Sequence, residues 1–315
     1  MFCYEIYDKI VAIYGGFKLA GWSEVLKEIS ETQSQQDYIR RKYLTELSDY
    51  TGRNVIAYYS SWFKHPQANN TEICDADMTG FMNCVHGLDC TKGLDLILHT
   101  PGGSPAAAES IVSYLRNKFS YDIRVIVPHM AMSAGTMIAC AAKEILLGKE
   151  SSLGPIDPQF NGIPAYNIKK EFEEAKNDLA KNPQNAQYWA IKLQQYPAAF
   201  MKTAIDAITL SDELVREWLG TCMFDKDKEE DKKAIDEIVS KLNEHDDLKI
   251  HGRHLNAEFC RNIGLKVVML EDDNDLQDKV LSLHHAYMIT MDTTATIKII
   301  ENQNQKAMIS SLRGV

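Results

Sequence analysis

Residues 95–104 (DLILHTPGGS) and residues 131–136 (AMSAGT) are the most informative stretches of this 315-residue chain. The first joins a run typical of a buried strand to two glycines, and the second places a serine at the start of a small-residue helix. The glycine turn offers free backbone N–H groups, and the serine offers a hydroxyl group. A nucleophile and an oxyanion hole are the two parts that an acyl-transfer site needs.

Strands and helices alternate around these two stretches. Short apolar runs at residues 94–99, 123–127 and 144–147 predict strands, and residues 105–119 and 133–143 predict helices between them. This alternation is typical of parallel βαβ units, so the predicted fold class is α/β.

Further elements are predicted on both sides of this region. The strands are at residues 54–60, 266–270 and 296–300, and the helices are at residues 24–50, 75–85, 235–242, 257–263 and 276–289. Residues 165–219 predict further helices, with breaks near residues 182–183 and 196–197. Helices therefore extend the α/β region at the N-terminus and in the C-terminal half.

Composition is that of an acidic globular protein, with a formal net charge of −10 and 45% hydrophobic residues. No basic stripe with interleaved aromatic residues is present, so nucleic acid is not an expected partner. The seven cysteines are scattered without a C-x-x-C pair, which fits a reducing compartment. Residues 10–17 are apolar, but a membrane span needs about 20 such residues and a secretory signal has other flanks. We expect a cytoplasmic protein without a membrane span.

The two turns contain candidate catalytic groups. Gly102 and Gly103 allow positive φ and a close approach of the backbone to a ligand, although an ordinary strand-to-helix turn is the alternative. Ser133 is a candidate nucleophile, although a serine at this position is most often an N-cap. The amide of Ala134 lies at the positive end of the predicted helix. The predicted oxyanion hole is formed by the amide of Gly102 or Gly103 and that of Ala134.

Three motifs together resemble the ClpP/crotonase superfamily of serine peptidases, which includes signal peptide peptidase A. Most closely they resemble its serine dehydrogenase proteinase family: residues 99–103 (HTPGG), 127–136 (VPHMAMSAGT) and 153–159 (LGPIDPQ). The resemblance implies a ββα spiral, a peptide or protein substrate and a homo-oligomeric assembly.

On this basis we divide the chain into a helical N-terminal extension (1–50), a ClpP-like peptidase domain (51–300) and a C-terminal tail (301–315). Despite the family name, no G-x-G-x-x-G turn or metal-ligand spacing is present, so we expect no cofactor and no metal.

A serine hydroxyl needs a base within hydrogen-bond reach. The resemblance implies a histidine in the loop after the serine and an aspartate further along the chain. In this sequence the first position holds Asp157 and the second segment holds His251. We hypothesise that the two roles have exchanged, so that His251 is the base and Asp157 orients it. A loop-capping aspartate and a structural turn histidine are the alternatives.

Other residues remain candidates for the general base. A Ser–Lys dyad is the rival arrangement, and its candidates on predicted helices are Lys169, Lys170, Lys176 and Lys192. His99 and His129 end predicted strands near the two turns, where a hydrogen-bonded core histidine is the alternative. Residues 284–285, both histidines, are expected to pack within a helix.

The sequence therefore predicts a serine peptidase that cleaves peptide bonds through an acyl-enzyme on Ser133. One alternative is a crotonase-like acyl-CoA enzyme, which uses similar oxyanion amides without a serine nucleophile. Another is a non-catalytic assembly module that retains the fold. Reactivity towards a fluorophosphonate probe distinguishes the peptidase from both.

Overall fold

The computed structural model describes residues 25–26, 29, 36–160, 162–243 and 252–312. Within them, the helices are α1 (Gln36–Thr51), α2 (Asp77–Val85), α3 (Pro105–Phe119), α4 (Ala134–Cys140), α5 (Ala165–Lys181), α6 (Ala186–Leu193), α7 (Phe200–Trp218), α8 (Glu229–Asn243), α9 (Ala257–Asn262) and α10 (Asn274–Thr293). The strands are β1 (Asn54–Ser60), β2 (Leu94–His99), β3 (Ile123–Val127), β4 (Met130–Ala131), β5 (Glu144–Leu147), β6 (Ser152–Leu153), β7 (Gln159–Phe160), β8 (Ile163–Pro164), β9 (Leu255–Asn256), β10 (Val267–Met269), β11 (Thr296–Asn302) and β12 (Ala307–Ser311).

Seven of these strands form the central sheet, in the order β10-β5-β3-β2-β1-β11-β12. The pairs from β10 to β1 are all parallel, whereas β11 is antiparallel to β1 and β12 is antiparallel to β11. The predicted α/β class is confirmed. Because β2 and β3 are parallel neighbours, their carboxyl ends lie side by side, and the turns that follow them meet at one edge of the sheet.

Helices cover both faces of the sheet. In β1, Ile56 and Tyr58 face a core formed with α2, α3, α4, α7 and α8, and Val55 and Tyr59 face a second core formed with α1 and α10. A strand buried on both faces is apolar throughout rather than alternating, which is why β1 is a continuous apolar run in the sequence.

Two buried carboxylates are each held by arginines. Asp95 in β2 is fully buried and bonds to Arg53 and Arg124 at 2.7 Å, and Glu301 in β11 is bonded by Arg40 at 3.1 Å and Arg41 at 2.8 Å. An unpaired buried charge is strongly destabilising, so these ion pairs fix the strands and helices that contribute them.

A third, smaller core packs α5 against α7. It contains Ala165, Ile168 and Ala204, with Phe160 and Phe200 packed against them. The hairpin β7–β8 joins this core through Phe160, so the helical segment and the hairpin form one packed unit.

The predicted domain boundaries at residues 50 and 300 remain predictions. In the structure α1 ends at Thr51, β11 crosses residue 300, and β12 adds an edge strand that the sequence did not predict. Within the described ranges, no helix is long and apolar enough to cross a membrane.

Candidate active site

The two turns identified in the sequence are joined by backbone hydrogen bonds. The amide of Thr100, directly after β2, donates to the carbonyl of Met130 at 3.0 Å, and the amide of Met132 donates to the carbonyl of Thr100 at 3.0 Å. This pairing continues the parallel alignment of β2 and β3 beyond the sheet. It therefore fixes the glycine turn beside the serine.

Ser133 occupies a strained position between β4 and α4. Its backbone has φ 50° and ψ −116°, and its side chain makes no capping hydrogen bond to the helix. An ordinary N-cap has φ and ψ in the extended region and accepts a bond from the helix. A non-glycine residue held at positive φ costs on the order of 1–3 kcal/mol, and such strain is concentrated at functional sites. The N-cap interpretation therefore does not fit Ser133, although the sequence makes it the usual one.

The glycine turn packs directly on this serine. A Cβ on Gly102 (φ 98°) would lie 2.8 Å from the Cβ of Ser133 and 3.2 Å from the amide nitrogen of Ala134. A Cβ on Gly103 (φ 149°) would lie 2.4 Å from the backbone nitrogen and oxygen of Ile73. Both positions therefore require glycine, for their backbone angles and for the space around them.

The hydrogen bonds of the turn distinguish the two glycines. Gly102 donates its amide to Thr100 Oγ1 at 3.1 Å. Ile73 holds the turn from the other side, since its amide donates to the carbonyl of Gly102 at 2.7 Å and its carbonyl accepts from Ser104 at 2.9 Å. Among the described residues, the amide of Gly103 has no acceptor. This amide is thus left available to a ligand.

The amide of Ala134, like that of Gly103, is available as a hydrogen-bond donor. It is the first N–H of α4, and no acceptor for it exists among the described residues. The first amides of a helix have no partner within the helix and lie at its positive end. The site thus combines two free amides with a half-buried serine hydroxyl.

Thr136 connects the nucleophile turn to the loop that contains Asp157. Its Oγ1 lies 2.9 Å from the carbonyl oxygens of Ala131 and Gly154, and it accepts from the amide of Gly154 at 2.9 Å. The sequence contained Thr136 within the motif at residues 131–136, but its position relative to Gly154 depends on tertiary structure, so its role was missed.

Asp157 is buried, with 3% of its surface exposed, and it follows β6 in the proline-rich loop. Its Oδ2 accepts from Gln159 Nε2 at 2.8 Å. Its neighbours Ile156 and Pro158 line a cavity of about 570 Å³ that is also lined by Ser133. The structure thus brings the loop of Asp157 to the site, whereas His251 lies outside the described residues.

The predicted lysine bases are placed less favourably. Lys192 on α6 is ion-paired with Glu171, and the hydrogen bond to that carboxylate raises the pKa of the ammonium group. Lys170 is exposed on α5. No lysine is among the described residues that line the cavity. A lysine base requires a depressed pKa and contact with the serine, so the geometry does not favour a dyad.

Histidines form a cluster behind the two turns. The rings of His99 and His129 stack with centroids 5.5 Å apart, and His284 on α10 packs against His99 at 5.4 Å, as expected for a packed helix residue. His99 is fully buried, and burial lowers its pKa to about 3. Both its ring nitrogens lack partners among the described residues, unlike the hydrogen-bonded core histidine that the sequence suggested. Among the described residues, no three His, Cys, Asp or Glu side chains are placed so that they could hold a metal ion.

Comparison with known proteins identifies the family of this chain. Residues 77–309 match the family model described as ClpP-like SDH-type serine proteinase. The uncharacterized protein MJ0137 of Methanocaldococcus jannaschii is 29% identical over 271 residues, which cover 84% of each chain. The uncharacterized protein MJ1495 of the same organism is 44% identical over 79 residues, 25% of this chain and 27% of its own. The matched region contains both turns, the loop of Asp157 and five of the seven strands of the main sheet in full. The chain belongs to the family of ClpP-like SDH-type serine proteinases.

Proposed function

We propose that this protein is a serine peptidase that uses Ser133 as its nucleophile. The observation that carries the proposal is the state of Ser133, which is held at positive φ with an uncapped side chain beside two free amides. A serine with only a structural role normally has an unstrained backbone, and its hydroxyl group accepts a hydrogen bond from the helix.

The oxyanion hole is formed by the amides of Gly103 and Ala134. Gly102 is less suitable because its amide already donates to Thr100. When Ser133 attacks the scissile carbonyl, the carbonyl oxygen becomes negatively charged and accepts from these two amides. Each such donor typically stabilises the transition state by about 2.7–4 kcal/mol. Collapse of the tetrahedral intermediate expels the amine and leaves an acyl-enzyme, which water hydrolyses.

The base is His251, oriented by Asp157. The support comes from the pairing of β6 with β9, in which Leu153 and Leu255 are antiparallel partners. Asp157 follows Leu153 by four residues and His251 precedes Leu255 by four residues. This pairing fixes the two segments that contain Asp157 and His251 beside each other at Leu153 and Leu255, and their short distance along the chain from that pair supports the assignment. The histidine takes the proton of the Ser133 hydroxyl and returns it to the leaving amine.

Hydrolysis of an internally quenched peptide library tests this assignment. We expect Ser133→Ala to abolish turnover and His251→Ala and Asp157→Ala each to lower kcat by at least about 10³-fold. Lys170→Ala and Lys192→Ala serve as matched side-chain truncations and should keep wild-type turnover. Loss of activity in a lysine variant, with His251→Ala still active, contradicts the triad.

The family resemblance also supports two further proposals, a ββα spiral arrangement of the sheet and a homo-oligomeric assembly. Sedimentation velocity tests the second proposal. A single species of the 35.6 kDa monomer at micromolar concentration would contradict it.

A further inference from the structure

The cavity beside Ser133 has walls of different chemistry. Met137 and Ile156 are among its lining residues; each is 1% exposed and belongs to the main core. Phe160 from β7 and Ala207 from α7 also line it. A volume of about 570 Å³ lined in this way fits an apolar side chain of a substrate, held next to the nucleophile.

One charged residue, Glu72, is found among the described residues that line this cavity. Its side chain is exposed, and no ion pair or hydrogen bond joins its carboxylate to another described residue. The other side chains around the cavity are neutral. The cavity therefore contains a single negative charge without a counter-ion from the described chain.

The backbone of Glu72 is held firmly in relation to the oxyanion turn. Its carbonyl accepts from Lys298 Nζ at 2.7 Å, and the same ammonium group is ion-paired with Asp77 at 2.7 Å in a buried position. The next residue, Ile73, makes two backbone hydrogen bonds to the turn, to Gly102 and Ser104. The Lys298 charge is thus compensated by Asp77, and the carboxylate of Glu72 is left for a ligand.

We propose that this site selects peptides with an apolar side chain and a neighbouring positive charge at the cleaved bond. The proposal rests on the proposed peptidase function. The apolar side chain packs on Met137 and Ile156, and the positive group pairs with Glu72. The positive group is a primary ammonium or guanidinium, which comes from a lysine or arginine side chain or from a free peptide N-terminus. Attraction between this exposed carboxylate and the positive group is of the modest size typical of exposed ion pairs, and an acidic group is repelled in the same way.

Binding to the Ser133→Ala protein tests the proposal without requiring turnover. Four fluorescent peptides share one leucine-containing core: an acetylated peptide with lysine, one with glutamine, one with glutamate, and the glutamine peptide with a free N-terminus. We expect the lysine peptide, the free-amine peptide or both to bind about fivefold more tightly than the acetylated glutamine peptide, the factor typical of one partly exposed ion pair. Whichever of the two binds more tightly identifies the source of the charge.

Substitutions in the Ser133→Ala background show whether Glu72 causes the preference. Glu72→Gln should reduce the ratio of positive to neutral binding to about one, and Glu72→Lys should favour the glutamate peptide, because the local charge changes sign. Glu237→Gln removes an exposed charge on α8, outside the cavity lining, and should leave the ratio unchanged. Equal binding of all four peptides, or a preference that survives both Glu72 substitutions, overturns the proposal.

Hydrolysis by the protein with Ser133 intact is measured on the same peptides. If none is cleaved, the proposed peptidase function is wrong, and the binding ratios still decide the role of Glu72. If they are cleaved without regard to charge and the binding ratios are flat, the peptidase function stands and the role of Glu72 is wrong.

Discussion

Ser104 and Ser133 stand at equivalent points of the fold and differ in what they do. Each precedes the helix that follows one of two neighbouring parallel strands. Ser104 has an extended backbone, with φ −69° and ψ 120°, and its Oγ accepts from the amide of Ala107 at 3.2 Å. Ser133 has φ 50° and ψ −116° and makes no such bond. Ser104 thus accepts a hydrogen bond from the first turn of its helix. Ser133 leaves its own hydroxyl group and the first amide of its helix without a partner among the described residues.

A candidate nucleophile can therefore be recognised because it lacks the capping hydrogen bond that a structural serine at the same position makes. Both serines fit the same N-cap preference in sequence. Only the structure separates them, because it shows backbone strain at Ser133 and an ordinary cap at Ser104. The turn before Ser104 also differs in holding Gly102 and Gly103, whose backbones must lie against Ser133 and Ile73.

Substitution of Ser133 has the largest expected effect. We expect Ser133→Ala to lower kcat by about 10⁴–10⁶-fold, as in other serine hydrolases without their nucleophile. The free energy of unfolding should change by less than about 0.5 kcal/mol, because no hydrogen bond is lost. Peptide turnover and urea denaturation measure the two quantities. A large loss of stability with activity retained would assign Ser133 a structural role like that of Ser104.

The second effect is at the oxyanion turn. Gly103→Ala should lower kcat by about 10²–10³-fold, since a Cβ that meets Ile73 displaces the turn and its free amide. Gly52→Ala is the matched control, because Gly52 also has positive φ (67°) but open space around it. The control should lose about 1 kcal/mol of stability through backbone strain and keep its activity. Equal activities of the two variants would show that the Gly103 amide is not used.

The third effect concerns His99, which lies at the end of β2 and stacks on His129 before the Ser133 turn. In the unfolded chain its pKa is about 6.5, and burial lowers the pKa in the fold to about 3. The unfolded state therefore binds more protons below pH 6.5. The stability contributed by neutral His99 is complete above that pH and is lost as the pH falls towards 3.

Between pH 7 and pH 5 this linkage alone lowers the free energy of unfolding by about 2 kcal/mol. We expect His99→Phe to remove that part of the pH dependence, measured by urea denaturation at both pH values. The variant keeps the remaining part of the wild-type pH dependence, because burial also lowers the pKa of His129 and that of His284. His86→Gln, at an exposed position, should keep the full wild-type dependence. An unchanged pH dependence in His99→Phe would mean that His99 is not neutral in the fold.

The smallest effect is at the conventional cap. Ser104→Ala removes the bond to the amide of Ala107 and should lower the free energy of unfolding by about 1 kcal/mol. Peptide turnover should stay close to wild type, because the bond from Ser104 to Ile73 is made by the backbone and survives the change. A loss of turnover comparable to that of Ser133→Ala would remove the distinction between the two serines.

Most of the sheet could be predicted from sequence because its signals are local. The strands β1, β2, β3 and β5 are short apolar runs, and their predicted bounds agree with the structure. The strands β4, β6 and β9 have two residues each and exist only through pairing with distant residues. No window of sequence contains their partners. The edge strand β12 was missed because it carries only a half-buried, mixed pattern.

The candidate site divides in the same way. Gly102, Gly103 and Ser133 could be identified because residues 99–103 and 127–136 together resemble the motifs of one peptidase family, although each motif alone has an ordinary structural explanation. The choice of the Gly103 amide over that of Gly102 could not be made, because it depends on the Thr100 hydroxyl and on Ile73, which lies about thirty residues earlier in the chain. The unpartnered ring of His99 and the position of Glu72 also follow from tertiary packing alone.

Covalent labelling shows directly whether Ser133 is the nucleophile. The protein is treated with a fluorophosphonate probe from mildly acidic to mildly basic pH, digested, and the modified residue is identified by mass spectrometry. We predict a single adduct on Ser133 that is absent from Ser133→Ala and present in Ser104→Ala. An adduct on another serine, or no adduct at any pH in protein that is folded by circular dichroism, would contradict it.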